Sequence, residues 1–161
     1  MRIGNHSVKE HFLFLTPLLG FIAIVWMIRL IAGALNFPIN IINLASVTAA
    51  TAVSAILAVL LIHVRNFGGY VNVVIASTFL TLWGHLLIIA AIAFAVLTET
   101  TNIYVAPEFS VAGDDPLHIK HMLGHITFAL GGGSLMGAIF GCSLFFVIRR
   151  ILPLKPQKNF R

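Results

Sequence analysis

Four long apolar stretches, at approximately residues 12–35, 41–63, 71–97 and 119–148, constrain this chain more than any other feature. Each has the roughly 20 residues that a helix needs to cross about 30 Å of hydrocarbon. In lipid every backbone polar group must be satisfied internally, so only helices and closed barrels span. Barrel strands show weak alternation over about ten residues, whereas these runs are solidly apolar. The sequence therefore predicts an all-α integral membrane protein, a single domain over residues 1–161 built as an antiparallel bundle of four transmembrane helices.

Charge agrees with that reading. Only 9% of the 161 residues are charged, against roughly 25% in soluble domains, and the mean hydropathy is +1.01. The net charge of +5 is placed at the ends and in one short link rather than on an amphipathic stripe, which argues against nucleic acid and for topology. With the N-terminus inside, the inner face receives Arg2, Lys9, Arg65, Arg149, Arg150, Lys155, Lys158 and Arg161, and the outer face only Lys120. The positive-inside rule then predicts both termini in the cytoplasm, with residues 149–161 as a cytoplasmic tail and residues 98–118 as an outer loop. A bacterial or archaeal cytoplasmic membrane fits this simple bias. The first helix reads as an uncleaved anchor, because its apolar core is longer than that of a signal peptide and includes Arg29. The single cysteine, Cys142, has no intrachain disulfide partner.

The breaks have ordinary causes. Asn36-Phe37-Pro38 ends the first helix, because proline disfavours helix in the residue before it, and Asn66-Phe67-Gly68-Gly69 makes the second turn. The third link is long and holds Glu99, Glu108, Asp114 and Asp115, four of the five acids. Helices in lipid associate through small residues that let backbones approach. Ala129, Gly133, Gly137 and Gly141 form one such stripe, and Ser46, Ala50, Ser54 and Ala58 another. Both are expected to face the bundle or a partner, through self-association or other membrane subunits.

Ionisable side chains inside a span are costly and mark candidate sites. Arg29 and His85 lie at roughly 22 and 18 Å from the inner helix ends, at 1.5 Å per residue. With Thr48 or Thr51 and the glycines of the fourth helix they outline a polar layer in the outer half, and Ser77 and Thr81 extend it inward. In this layer Arg29 and His85 are candidate cofactor-binding residues for haem b or a quinone, with Trp26 and Trp83 available to line the pocket. The plainer expectation is that Arg29 snorkels to the outer headgroups and His85 bonds a threonine or carbonyl of a neighbouring helix.

His118, His121 and His125 form a second group, at spacings that share one helix face and would let imidazoles hold a copper or zinc ion. Asp114 and Asp115, with Glu108, would complete its shell. The plainer expectation is a polar helix end at the headgroups. His85 and His125 are not expected to meet, since the same count puts His125 some 15 Å further out. His6, His11 and His63 are expected at the inner interface. No Walker loop, nucleophile elbow or dinucleotide fingerprint is present. The chain thus reads as a non-catalytic subunit or accessory protein of a membrane complex, with a redox complex among the candidates. The alternatives are a small oligomeric transporter or channel with Arg29 and His85 on its pathway, and a quinone- or haem-dependent oxidoreductase subunit.

Overall fold

A computed structural model describes residues 2–107, 115 and 117–153. Four spans cross it: Val8–Ala34, Ile39–Val64, Tyr70–Thr98 and Ile119–Ile151, each long and apolar enough for a membrane. The protein is a four-helix integral membrane bundle. In detail the helices are α1 (Val8–Ala34), α2 (Ile39–Leu44), α3 (Val47–Val64), α4 (Tyr70–Thr98), α5 (Ile119–Phe128) and α6 (Ser134–Ile151), with a π-helical turn over Ala129–Gly133.

The third span, α4, is the centre of the bundle. It packs on α3, with α1 on one side of that pair and α6 on the other. Leu15, Ile22, Val59, Ile62, Val73, Leu80, Ile92 and Phe145 form the tight core. Both small-residue stripes make close contacts inside this chain. Ala50, Ser54 and Ala58 are buried. A Cβ added at Gly137 would stand 3.3 Å from the Ser77 Cβ, and one at Gly141 2.9 Å from Val73. Gly133, Gly137 and Gly141 thus let the fourth span approach α4 closely.

Both termini of the described chain lie at one end, here called the near end. Arg2–Ile3 pairs antiparallel with His6–Ser7 around Gly4 and Asn5, both at positive φ, as a two-residue hairpin requires. Ser7 and Glu10 close a capping box on α1. His11, 2% exposed, donates from Nδ1 to the Ser7 carbonyl (3.0 Å) and accepts at Nε2 from Asn72 Nδ2 (3.2 Å). His6 stacks on Phe67 at 3.9 Å. His63 donates from Nε2 to the Leu152 carbonyl at 2.8 Å. His11 and His63 are therefore buried, hydrogen-bonded groups at this end of the bundle. The reason is that the N-terminal hairpin and the end of α6 fold over this end of the bundle.

Two departures from regular helix matter for the site. The second span is not continuous from residue 41 to 63. It breaks at Ala45, and Ser46 restarts it by accepting the Ala49 N–H at its Oγ. In the fourth span the π-helical turn coincides with Gly131-Gly132-Gly133, and the Ser134 hydroxyl bonds back to the Ala129 carbonyl.

Candidate functional site

Breaking the second span leaves the Ala45 carbonyl without a helical partner. Arg29 answers it: Nη1 points at that oxygen from 3.5 Å. Its guanidinium carbon also lies 5.6 Å from the centre of the Tyr104 ring, within cation–π range. Arg29 is only 8% exposed. A kinked backbone and an aromatic ring thus hold it against the bundle.

Tyr104 is supplied by the link between α4 and α5, which turns back onto the bundle instead of standing off it. Asn102 donates from Nδ2 to the Ala91 carbonyl at 2.7 Å and accepts the Tyr104 N–H at 2.8 Å. Ile103 fills the space left by the missing side chain of Gly33. Burial pushes the Tyr104 phenol well above its ordinary range, with the Arg29 charge opposing in part. Its hydroxyl is buried without a hydrogen-bond partner among the described residues.

His85 and His125 meet. Their Nδ1 atoms are 2.8 Å apart, and the Nε2 atoms of His125 and His121 are 3.2 Å apart. Three imidazoles thus form an unbroken chain from α4 along one face of α5. The wide separation expected from helix counting is wrong because the near ends of α4 and α6 are not level. Gly141 packs on Val73, so the common reference lies there. Counted up α4 from Val73 and up the fourth span from Gly141, His85 and His125 differ in height by only about 6 Å. The π-helical turn and the side chains bridge that difference. Phe128, 5.3 Å from His85 between ring centroids, packs beside the pair.

Two cavities lie on either side of this chain. The larger, about 420 Å³, is a groove between α3, α4 and α6, lined by Thr48, Thr51, Thr81, Gly84, His85 and the glycines 133, 137 and 141 among others. His85 is the one titratable side chain among its lining residues. The rim residues Ile56, Met136 and Phe140 are 51%, 50% and 66% exposed, so the groove opens on the lipid-facing surface. The smaller cavity, about 180 Å³, is lined by Arg29, Ser46, Val47, Thr48, Ile88, Tyr104, His121 and His125. Val47, Thr48 and Ile88 border both.

The remaining histidine of the group, His118, stands at the start of α5. The rings of His118 and His121 are 6.5 Å apart between centroids. The Asp115 carboxylate accepts the backbone N–H groups of Ile119 (3.0 Å) and His121 (3.2 Å), capping α5. Asp114 and Glu108 lie outside the described residues. Among the described residues no three His, Cys, Asp or Glu side chains are grouped to hold a metal ion. The Nδ1 atoms of His85 and His125, 2.8 Å apart, are closer than the about 4 Å that would separate opposed axial nitrogens on one metal at ~2 Å per bond.

Trp83 and Trp26 line neither cavity. Trp83 instead donates from Nε1 to the Leu19 carbonyl at 3.0 Å, tying α4 to α1. Sequence reasoning missed Tyr104 and Phe128 as site residues. Phe128 stands just ahead of the glycine run that widens the helix, and that run was the available signal. Compared with protein-family models, curated proteins and solved structures, the chain matches none of them.

Proposed function

We propose that this protein is a binding subunit or accessory protein of a membrane complex, and that its groove takes a quinone-type amphiphile. The observation that carries the reading is the groove itself: apolar, open to lipid along its length, and bordered by a buried imidazole. A quinone has an apolar tail that partitions into lipid and a head whose oxygens need hydrogen bonds. His85 Nδ1 is engaged with His125, which leaves Nε2 for such an oxygen. Thr48, Thr51 and Thr81 add hydroxyls around the head. Ligand sites of this kind are mostly apolar with a few placed polar groups, and span about 300–1,000 Å³.

Arg29 belongs to the neighbouring cavity in this reading and acts by holding the broken second span and Tyr104 in place. Both termini on the cytoplasmic side, as the basic residues predict, would put the histidine chain toward the outer face.

The test is photolabelling in liposomes with an azido benzoquinone that carries a decyl tail, competed by the plain decyl quinone. Labelling is expected on peptides of α3 and α6 that border the groove. Ala52→Trp, which fills the exposed mouth of the groove, should weaken competition by at least about tenfold, equivalent to ~1.4 kcal/mol. Labelling that is not competed, or that ignores Ala52→Trp while the helical content is unchanged, would remove the groove from the proposal.

A further inference from the structure

The three imidazoles do more than fill space, because of how their nitrogens are paired. His125 uses both ring nitrogens, Nδ1 toward His85 and Nε2 toward His121. A neutral imidazole carries one N–H and one bare nitrogen. In each contact, one nitrogen must donate and the other accept. An uncharged chain of this kind has only two self-consistent arrangements. In the first, His121 Nε2–H donates to His125 Nε2, and His125 Nδ1–H donates to His85 Nδ1. His85 then presents an Nε2–H to the groove, and His121 Nδ1 is bare. In the second every bond is reversed: His85 Nε2 is bare and His121 Nδ1 carries the proton.

The ends of the chain fall in the two different cavities. His85 lines the groove, and His121 lines the far-end cavity with Tyr104 and Arg29. His121 Nδ1 is buried and has no hydrogen-bond partner among the described residues, as is the Tyr104 hydroxyl. The neighbouring Asp115 carboxylate is occupied by backbone N–H groups and does not pin the His121 ring. The cavity of about 180 Å³ has Arg29, Ser46, Thr48 and Tyr104 among its lining residues and has room for water.

We propose that His121, His125 and His85 form a two-state proton relay joining the far-end cavity to the groove. Passing from the first arrangement to the second moves one proton inward, from the far-end cavity to the groove, and the reverse passage moves one outward. The groove ligand's head takes the proton from His85 Nε2 or gives one to it, His85 and His125 exchange one across Nδ1···Nδ1, His125 and His121 exchange one across Nε2···Nε2, and His121 Nδ1 exchanges one with water in the far-end cavity. One proton enters at one end for each that leaves at the other. All three rings are neutral before and after, and no electron moves.

The relay couples the two cavities by logic as well as by transport. A carbonyl head in the groove needs a donor, and selects the arrangement in which His121 Nδ1 is bare. A hydroxyl head selects the opposite one. The nature of that head rests on the quinone reading above; the relay itself rests on the imidazole geometry.

The experiment uses ¹⁵N-histidine-labelled full-length protein in liposomes, observed by solid-state NMR. Without ligand, nitrogen–nitrogen couplings are expected across both imidazole contacts, with His125 showing one protonated and one bare nitrogen. Absence of either coupling overturns the relay and needs no variant. His121→Phe, which keeps a flat ring, should change which nitrogen of His85 carries the proton; an unchanged His85 spectrum also overturns it. Adding the decyl benzoquinone and then its quinol should exchange the protonated and bare signals of all three histidines together. If His85 alone responds, the relay fails though the ligand binds. If nothing responds but the couplings are present, the relay stands and the quinone reading fails.

Discussion

Asn72 shows what one buried polar side chain does at the near end. It is 1% exposed, accepts the Gly69 N–H at Oδ1 (3.3 Å) and donates to His11 Nε2 (3.2 Å). Asn72→Ala leaves both partners without these bonds, and His11 Nε2 is then unsatisfied in a buried place. It should cost about 1–3 kcal/mol, read as a lower unfolding midpoint in mild detergent. Leu152, whose carbonyl serves His63, is a control whose side chain is 60% exposed; Leu152→Ala should change little. Tyr104 gives a pH-dependent counterpart. Its folded pKa is raised above the ordinary ~10. Above about pH 10 the unfolded chain therefore releases a proton that the folded chain retains, and stability falls as pH rises through that region. Below it neither form has ionised and the residue adds no slope. Alkaline unfolding should show this slope, and Tyr104→Phe should flatten it.

At the scale of the element, two irregularities build the site. Ser46 restarts α3 after the break at Ala45, and Ser46→Ala should cost about 1 kcal/mol. The loss should be accompanied by altered spectra of Arg29, which leans on the freed carbonyl. The π-helical turn is the more consequential device. Wide turns of this type carry one residue more than a regular turn and recur at functional sites. Deleting Gly132 removes that residue and would rotate α5 about its axis by roughly 100°, at 3.6 residues per turn. His125 then leaves His85. The expected outcome is loss of the coupling between the two imidazoles, with the helical content of the protein kept. Retention of that coupling in the deletion variant would show that the turn does not set the pairing.

For the whole molecule, the arrangement of α1 and α6 on opposite sides of α3 and α4 leaves a side opening instead of a sealed core. In a Cys142→Ala background, Phe140→Cys at the rim should react with an apolar maleimide dissolved in the bilayer. Leu80→Cys, at a position 0% exposed, should not. Equal reactivity at the two would mean the groove is closed or the core loose. The same approach applied to the chain ends, with a membrane-impermeant reagent on sealed vesicles, checks the expected shared side of the two termini. Reaction at Arg2→Cys and at Ile151→Cys should rise together when the vesicles are opened.

What the sequence determined by itself is the class and number of elements. Apolar runs long enough to cross the hydrocarbon leave helix as the only solution in lipid, and a count of such runs is a count of spans. It also located the polar layer. Arg29 and His85 are conspicuous because ionisable groups are expensive in hydrocarbon, and Thr48, Thr51 and the glycines around His85 were legible from depth along regular helices. Tertiary structure alone decided which polar groups meet. Depth from helix ends carries an error as large as the stagger between helices, so His125 was assigned to a level it does not occupy. The stagger is set by where Gly141 and Val73 interlock, a packing fact with no local signature. The break at Ala45 has no proline or glycine to announce it, and its carbonyl is met by Arg29 from across the bundle. The return of Tyr104 onto Arg29 depends on Gly33 leaving room for Ile103. Local chemistry named the costly residues; only packing could say what each is held against.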